Sequence, residues 1–101
     1  MDTALGLVNL TVSESEAADR DTLLELAASH DYRITKVITI DHETFMPTTL
    51  IAHTAHTIRA AAILAPSLPH FGTATKALSL ACTLVVPRIV IPRIPGWTPN
   101  P

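Results

Sequence analysis

Apolar positions along the chain fall into short continuous runs separated by stretches with a helical spacing. Residues 4–12 and 60–65 are apolar at nearly every position, a pattern typical of strands covered on both faces of a parallel sheet. Residues 33–41 form a run in which polar Thr35, Lys36 and Thr39 interrupt the apolar positions, which predicts an edge strand with one solvated face. Residues 88–91 form a further apolar run, and we interpret it as the fourth strand.

Helices are expected between these strands. Ser13 and Glu16 have the spacing of a capping box, so a helix is predicted to begin there and to end near residues 30–31. Pro47 suits the first turn of a second helix that runs to about Arg59. A third helix is expected from Gly72. Residues 83–86 are either its last turn or a separate strand, and we favour the helix because it then covers the sheet.

The order of these elements predicts an α/β fold in three layers. A parallel sheet of about four strands in the order 2-1-3-4, with helices on both faces, places the polar second strand at an edge. Residues 1–92 are expected to form this domain, and residues 93–101 a Pro-rich C-terminal tail.

Composition narrows the possible functions. The 101 residues suffice for one small domain, and a formal net charge of -2 does not suit a protein that grips phosphate backbones over a wide area. An aromatic content of 4% argues against stacking on single-stranded nucleic acid. Cys82 is the single cysteine and is interpreted as a buried thiol. No signal peptide or membrane span is recognised, so we expect a cytoplasmic protein without membrane contact.

Two segments together suggest a family. Residues 5–12, followed by a capped helix, and residues 62–72 resemble the catalytic domain of the serine recombinases, the resolvase/invertase family. The resemblance covers about residues 4–92. It implies a first strand that ends in an arginine with a nucleophilic serine two residues later. It also implies a Leu-Asp-Arg-Leu-Gly-Arg cluster after the third strand, and transfer of a DNA phosphodiester to the serine.

The catalytic residues of that family are replaced here. Asn9 and Thr11 stand at the arginine and serine positions of the first strand, and His70 and Thr73 replace the two arginines of the second cluster. Phosphoryl transfer depends on charge stabilisation and positioning, so these four are interpreted as vestigial positions. His70 either contacts a small ligand in the crevice at the strand ends or is an ordinary turn residue, and we favour the turn residue.

A pair of histidines is a further candidate binding site. His53 and His56 lie one helical turn apart and can hold a metal ion only if a third ligand, such as His42 or Glu43, approaches. We favour two exposed histidines without a ligand, and we expect no metal and no cofactor.

An interface is expected near the C-terminus. Residues 84–97 are especially apolar and lie where the resembling family carries its dimer helix. Ile91, Ile94 and Trp97 are the predicted anchors, although Trp97 can instead pack over the domain's own apolar face.

These observations favour a non-catalytic, resolvase-like interaction or regulatory module. The expected partner is another protein or a second copy in a homodimer, without direct nucleic-acid binding. Two alternatives remain open. One is an enzyme of the recombinase type that uses Asn9, Thr11 and His70, and the other is a DNA-associated regulator that acts through a partner.

Overall fold

The computed structural model describes residues 2–93, which form a five-stranded sheet with helices against it. In chain order the elements are β1 (Asp2–Asn9), α1 (Glu16–His30), β2 (Tyr32–Ile40), α2 (Pro47–Thr57), β3 (Ala62–Leu64), a 3-10 segment (Leu68–Ala74), α3 (Thr75–Ser79), β4 (Thr83–Val86) and β5 (Ile89–Ile91).

The strand order is β2-β1-β3-β4-β5. The first four strands pair in parallel, and β5 returns antiparallel to β4. The prediction of about four parallel strands in the order 2-1-3-4 is therefore wrong in its details. The neighbour of β3 is Thr83–Val86, not the run at residues 88–91. The α/β class is confirmed, and the polar β2 lies at an edge as expected.

The hairpin between β4 and β5 explains this difference. Pro87 cannot continue the hydrogen-bond ladder of a strand, and Arg88 adopts a left-handed backbone with φ of 71° that reverses the chain. Leu84, Val85 and Val86 are buried between the helix layers, so the segment serves as a central strand. The predicted continuation of the third helix to residue 86 is wrong, because α3 ends at Ser79.

Apolar side chains fill both faces of the sheet, which confirms the prediction of helices on both sides. On one face, Leu23 and Leu26 of α1 pack with Ala4 and Val8. Gly6 permits this close approach, because a Cβ there would lie 3.1 Å from Leu23 Cδ1 and 3.1 Å from a methyl group of Val37. On the other face, α2 and α3 pack against the opposite side chains of the strands.

The observed helix ends match the predicted ones at some positions and differ at others. α2 begins at Pro47 as expected, and α1 ends at His30, followed by Asp31 in the left-handed conformation. The predicted Ser13 capping box is wrong. Ser15 is the N-cap, and its hydroxyl accepts from the Ala18 amide at 3.2 Å.

The third helix also begins later than expected. Gly72 has φ of 59°, which interrupts regular helix, so the chain first forms a 3-10 segment and α3 starts at Thr75. Among the helices of residues 2–93, none has both the length and the apolar character needed to cross a bilayer.

Candidate functional site

His70 is the central residue of a polar cluster at the carboxyl end of the parallel strands. It lies in the 3-10 segment that follows β3, and its side chain is buried. Its Nδ1 atom accepts a hydrogen bond of 2.9 Å from the backbone amide of Asn9, the last residue of β1. The Asn9 side-chain amide donates back to the His70 carbonyl at 3.4 Å. These two bonds join the end of β1 to the segment after β3.

The other ring nitrogen of His70 faces a carboxylate. Nε2 lies 3.7 Å from Asp19 Oδ2, on the first turns of α1. Because Nδ1 already accepts a hydrogen bond, the neutral ring carries its proton on Nε2, towards Asp19. Burial lowers the pKa of His70, and the charge of Asp19 opposes that shift. His70 is therefore held as a neutral, structural imidazole near neutral pH.

Asp19 was not recognised from the sequence as part of this cluster. Its carboxylate also accepts a hydrogen bond from the Ser13 hydroxyl, so it lies between Ser13 and His70. This order differs from a serine–histidine relay, in which the histidine contacts the nucleophile and the acid orients the histidine. The one local signal was the position of Asp19 near the start of α1, where acidic residues commonly serve the helix dipole.

Asn9 and Thr11 are neighbours in a tight turn after β1. The Thr11 backbone amide donates to Asn9 Oδ1 at 3.0 Å, and the Asn9 carbonyl accepts from the amides of Val12 and Ser13. The predicted register placed Thr11 on the strand, but β1 ends at Asn9 and Thr11 lies exposed in the turn. The Asn9 side chain thus stabilises the turn and the contact to His70.

Thr73 borders a small cleft at the same end of the sheet. The cleft has a volume of about 170 Å³, and Asn9, Ile51, Phe71 and Gly72 also contribute to its walls. No lysine or arginine of the described residues lines it. The structure therefore brings Asn9, His70 and Thr73 to one end of the sheet, and within residues 2–93 it places no lysine or arginine in the cleft where a phosphate would need one.

The paired histidines of α2 gain no further ligand. His53 and His56 are exposed, and nowhere in residues 2–93 do three His, Cys, Asp or Glu side chains gather as a metal ion requires. His42 lies near Glu43, at 3.8 Å, but neither joins the α2 pair.

Residues 84–97, the predicted interface segment, divide into buried and exposed parts. β4 is buried in the core, so the expectation that the whole segment lies at an interface is wrong for residues 84–86. Ile91 is half-buried and packs against the core, while Ile94 and Trp97 lie outside the described residues. Ile89 and Val90, which were not predicted as anchors, are 45% and 48% exposed.

Comparison of the chain with protein-family models, with curated proteins and with solved structures finds no match in any of the three.

Proposed function

We propose that this chain is a non-catalytic, resolvase-like α/β domain that acts as a protein-interaction module, with a second copy of itself as the partner. The observation that carries the proposal is strand β5. It forms an edge of the sheet, and two of its three side chains are about half exposed although they are large and apolar. An exposed apolar edge strand is a template for pairing with another chain.

The geometry of the edge favours a symmetric dimer. β5 pairs with β4 on one side, and among the described strands nothing pairs with its other side. Two copies of β5 can align antiparallel about a twofold axis, which gives the self-complementary contact common in homodimers. Pro92, directly after the strand, lacks an amide hydrogen and limits the paired length.

The size of this contact implies that the tail contributes. Burying the exposed halves of Ile89 and Val90 yields about 1 kcal/mol per side chain, or about 4 kcal/mol for both copies. Association costs roughly 4 kcal/mol or more in lost freedom, so β5 alone supports at most a weak dimer. In this proposal Ile91 and the predicted tail anchors Ile94 and Trp97 supply further stabilisation of the dimer.

The state of the polar cluster supports a non-catalytic role. The ring nitrogens of His70 face Asn9 and Asp19, and the Asn9 amide group is used in local hydrogen bonds. A residue committed to such bonds serves stability. The cytoplasmic location and the absence of direct nucleic-acid binding belong to the same proposal.

Analytical ultracentrifugation of the full chain tests this proposal. We expect a monomer–dimer equilibrium that Val90→Lys shifts to monomer, because a charge would be buried at the paired edge. The matched control is Leu24→Lys on α1, where the native leucine is 63% exposed and does not belong to the edge strand. A chain that sediments as a monomer at every concentration refutes self-association, and equal effects of the two lysine variants refute the assignment to β5.

A further inference from the structure

A cavity lies on the α2 and α3 side of the sheet, at the amino ends of β3 and β4. This is opposite to the end that holds His70. Its volume is about 500 Å³, within the range of small-molecule sites. The walls consist mainly of small residues, among them Ala55, Ala60 and Cys82, and three cationic or potentially cationic side chains border it: His56, Arg59 and Arg93.

The two arginines retain free hydrogen-bond donors. Arg93 donates through Nε to the Leu80 carbonyl at 3.3 Å, which leaves its two terminal nitrogens for another acceptor. Arg59 follows the end of α2 in a left-handed conformation, with φ of 55°. Within residues 2–93 neither guanidinium forms an ion pair with a carboxylate.

Acidic residues are distributed unevenly along the chain. All nine aspartates and glutamates lie between Asp2 and Glu43, whereas four of the seven lysines and arginines follow Glu43. The described residues that line the cavity all come from the acid-free part of the chain. No Asp or Glu is among the described residues that line the cavity, and neither arginine is ion-paired there, so the two guanidinium groups are suited to an anion supplied from outside.

The helix ends near the cavity do not cancel this charge. α2 and α3 both terminate close to it, and a helix C-terminus carries at most about half a negative elementary charge. Two such ends amount to about one negative charge, and the five-residue α3 contributes less than a full-length helix. Arg59 and Arg93 carry two full positive charges, so the cavity keeps a positive balance.

Cys82 forms part of the cavity wall and is not a reactive thiol. Its thiol donates to the Ala60 carbonyl at 3.3 Å. Burial raises the pKa of Cys82, and the positive charge of Arg93 opposes that change only in part. A protonated thiol is a poor nucleophile, so the cavity is suited to binding and not to covalent chemistry.

We propose that this cavity binds a small molecule that carries a phosphate group. The Arg59 and Arg93 guanidinium groups would hold the phosphate, since their planar donors match its oxygens. The alanine walls would contact the remainder of the ligand. The cavity is lined without Ile89 or Val90, the exposed side chains on which the proposed dimer rests.

Isothermal titration calorimetry of the full chain with ribose 5-phosphate, ribose and inorganic phosphate tests the proposal. We expect saturable binding of ribose 5-phosphate, weaker binding of inorganic phosphate and none of ribose. Arg59→Gln should weaken binding about tenfold or more, because a hydrogen bond to a charged group is lost. Arg59→Lys keeps the charge but loses the planar donor group of arginine, so its affinity for ribose 5-phosphate should lie between those of the wild type and Arg59→Gln. Far-UV circular dichroism verifies that each variant is folded.

Arg33→Gln on the edge strand β2 is the matched control, since it removes the same charge from an exposed site that does not line the cavity. It should leave the affinity unchanged. Three outcomes overturn the proposal: no saturable binding at millimolar ligand, equal weakening by Arg33→Gln and Arg59→Gln, or tighter Arg59-dependent binding of a short oligonucleotide than of ribose 5-phosphate. The last outcome would indicate a nucleic-acid surface instead.

Discussion

Replacing His70 with leucine tests the interpretation of the polar cluster as a structural joint. Leucine has a similar size but no acceptor for the Asn9 amide, which now makes a bond of 2.9 Å to the ring. An unpaired, partly buried amide costs about 1 to 3 kcal/mol. The greater apolar character of leucine offsets part of this cost, so we expect a net loss of about 1 to 2 kcal/mol in the free energy of unfolding above neutral pH.

The pH dependence gives a sharper test, because burial and Asp19 act in opposite directions on His70. Burial has the larger effect, so the pKa of His70 is lower in the folded chain than its ordinary value of 6.5. The unfolded chain then binds more protons, and the contribution of His70 to stability is present above that value and is lost as the pH falls below it. The stability difference between wild type and His70→Leu should therefore shrink with acidification.

Urea denaturation, followed by far-UV circular dichroism across a series of pH values, measures this difference. His53→Leu is the matched control, because His53 is exposed on α2 and its replacement should change stability by less than about 0.5 kcal/mol. A stability difference that grows as the pH falls would show that the Asp19 charge prevails over burial. Equal stabilities of wild type and His70→Leu above neutral pH would refute the structural role altogether.

Four further predictions concern Gly6, the N-cap of α1, Cys82 and the reaction with DNA. Gly6→Ala should destabilise by about 1 kcal/mol in thermal melts, since its new Cβ would lie 3.1 Å from Leu23 Cδ1; unchanged melting would mean that α1 shifts freely. Ser15→Ala should cost about 1 kcal/mol through the lost N-cap bond, and a neutral effect in urea titrations would argue against that cap. Cys82 should react slowly with a thiol reagent in the native chain and rapidly in urea, whereas equal rates would contradict its burial. Incubation with supercoiled DNA should yield no covalent adduct, and an adduct abolished by Thr11→Ala would contradict the non-catalytic assignment.

The parts of the fold that follow local patterns were predictable. Pro47 begins α2 because its missing amide hydrogen is not needed in a first turn, and polar Lys36 lies on an edge strand because one face there meets solvent. The hairpin at residues 87–88 was not predictable in this way. The run before Pro87 fits either a helix end or a strand, and Arg88 adopts a left-handed conformation that a non-glycine residue rarely takes.

In the candidate site, too, some contacts were predictable from the sequence and others were not. The topology alone brings Asn9 and His70 to one end of the sheet. β1 and β3 are parallel neighbours, Asn9 is the last residue of β1, and His70 follows β3. The contact of His70 with Asp19 joins residues far apart in sequence and depends on how α1 crosses the sheet. The spacing of Ser13 and Glu16 is that of a capping box, but the Ser13 hydroxyl donates a hydrogen bond to Asp19 instead.

The two ends of the sheet differ in the size of their cavities and in the cationic side chains that line them. In open α/β sheets ligands usually bind beyond the carboxyl ends of the strands. Here that end is occupied by the His70 cluster, whose contacts join β1, α1 and the segment after β3, and the cleft beside it has a volume of about 170 Å³. The opposite end carries a larger cavity with two arginines free of carboxylate partners among the described residues. Within residues 2–93 the charges that suit a phosphate therefore lie at the amino ends of β3 and β4, and the cluster around the neutral His70 lies at the carboxyl ends.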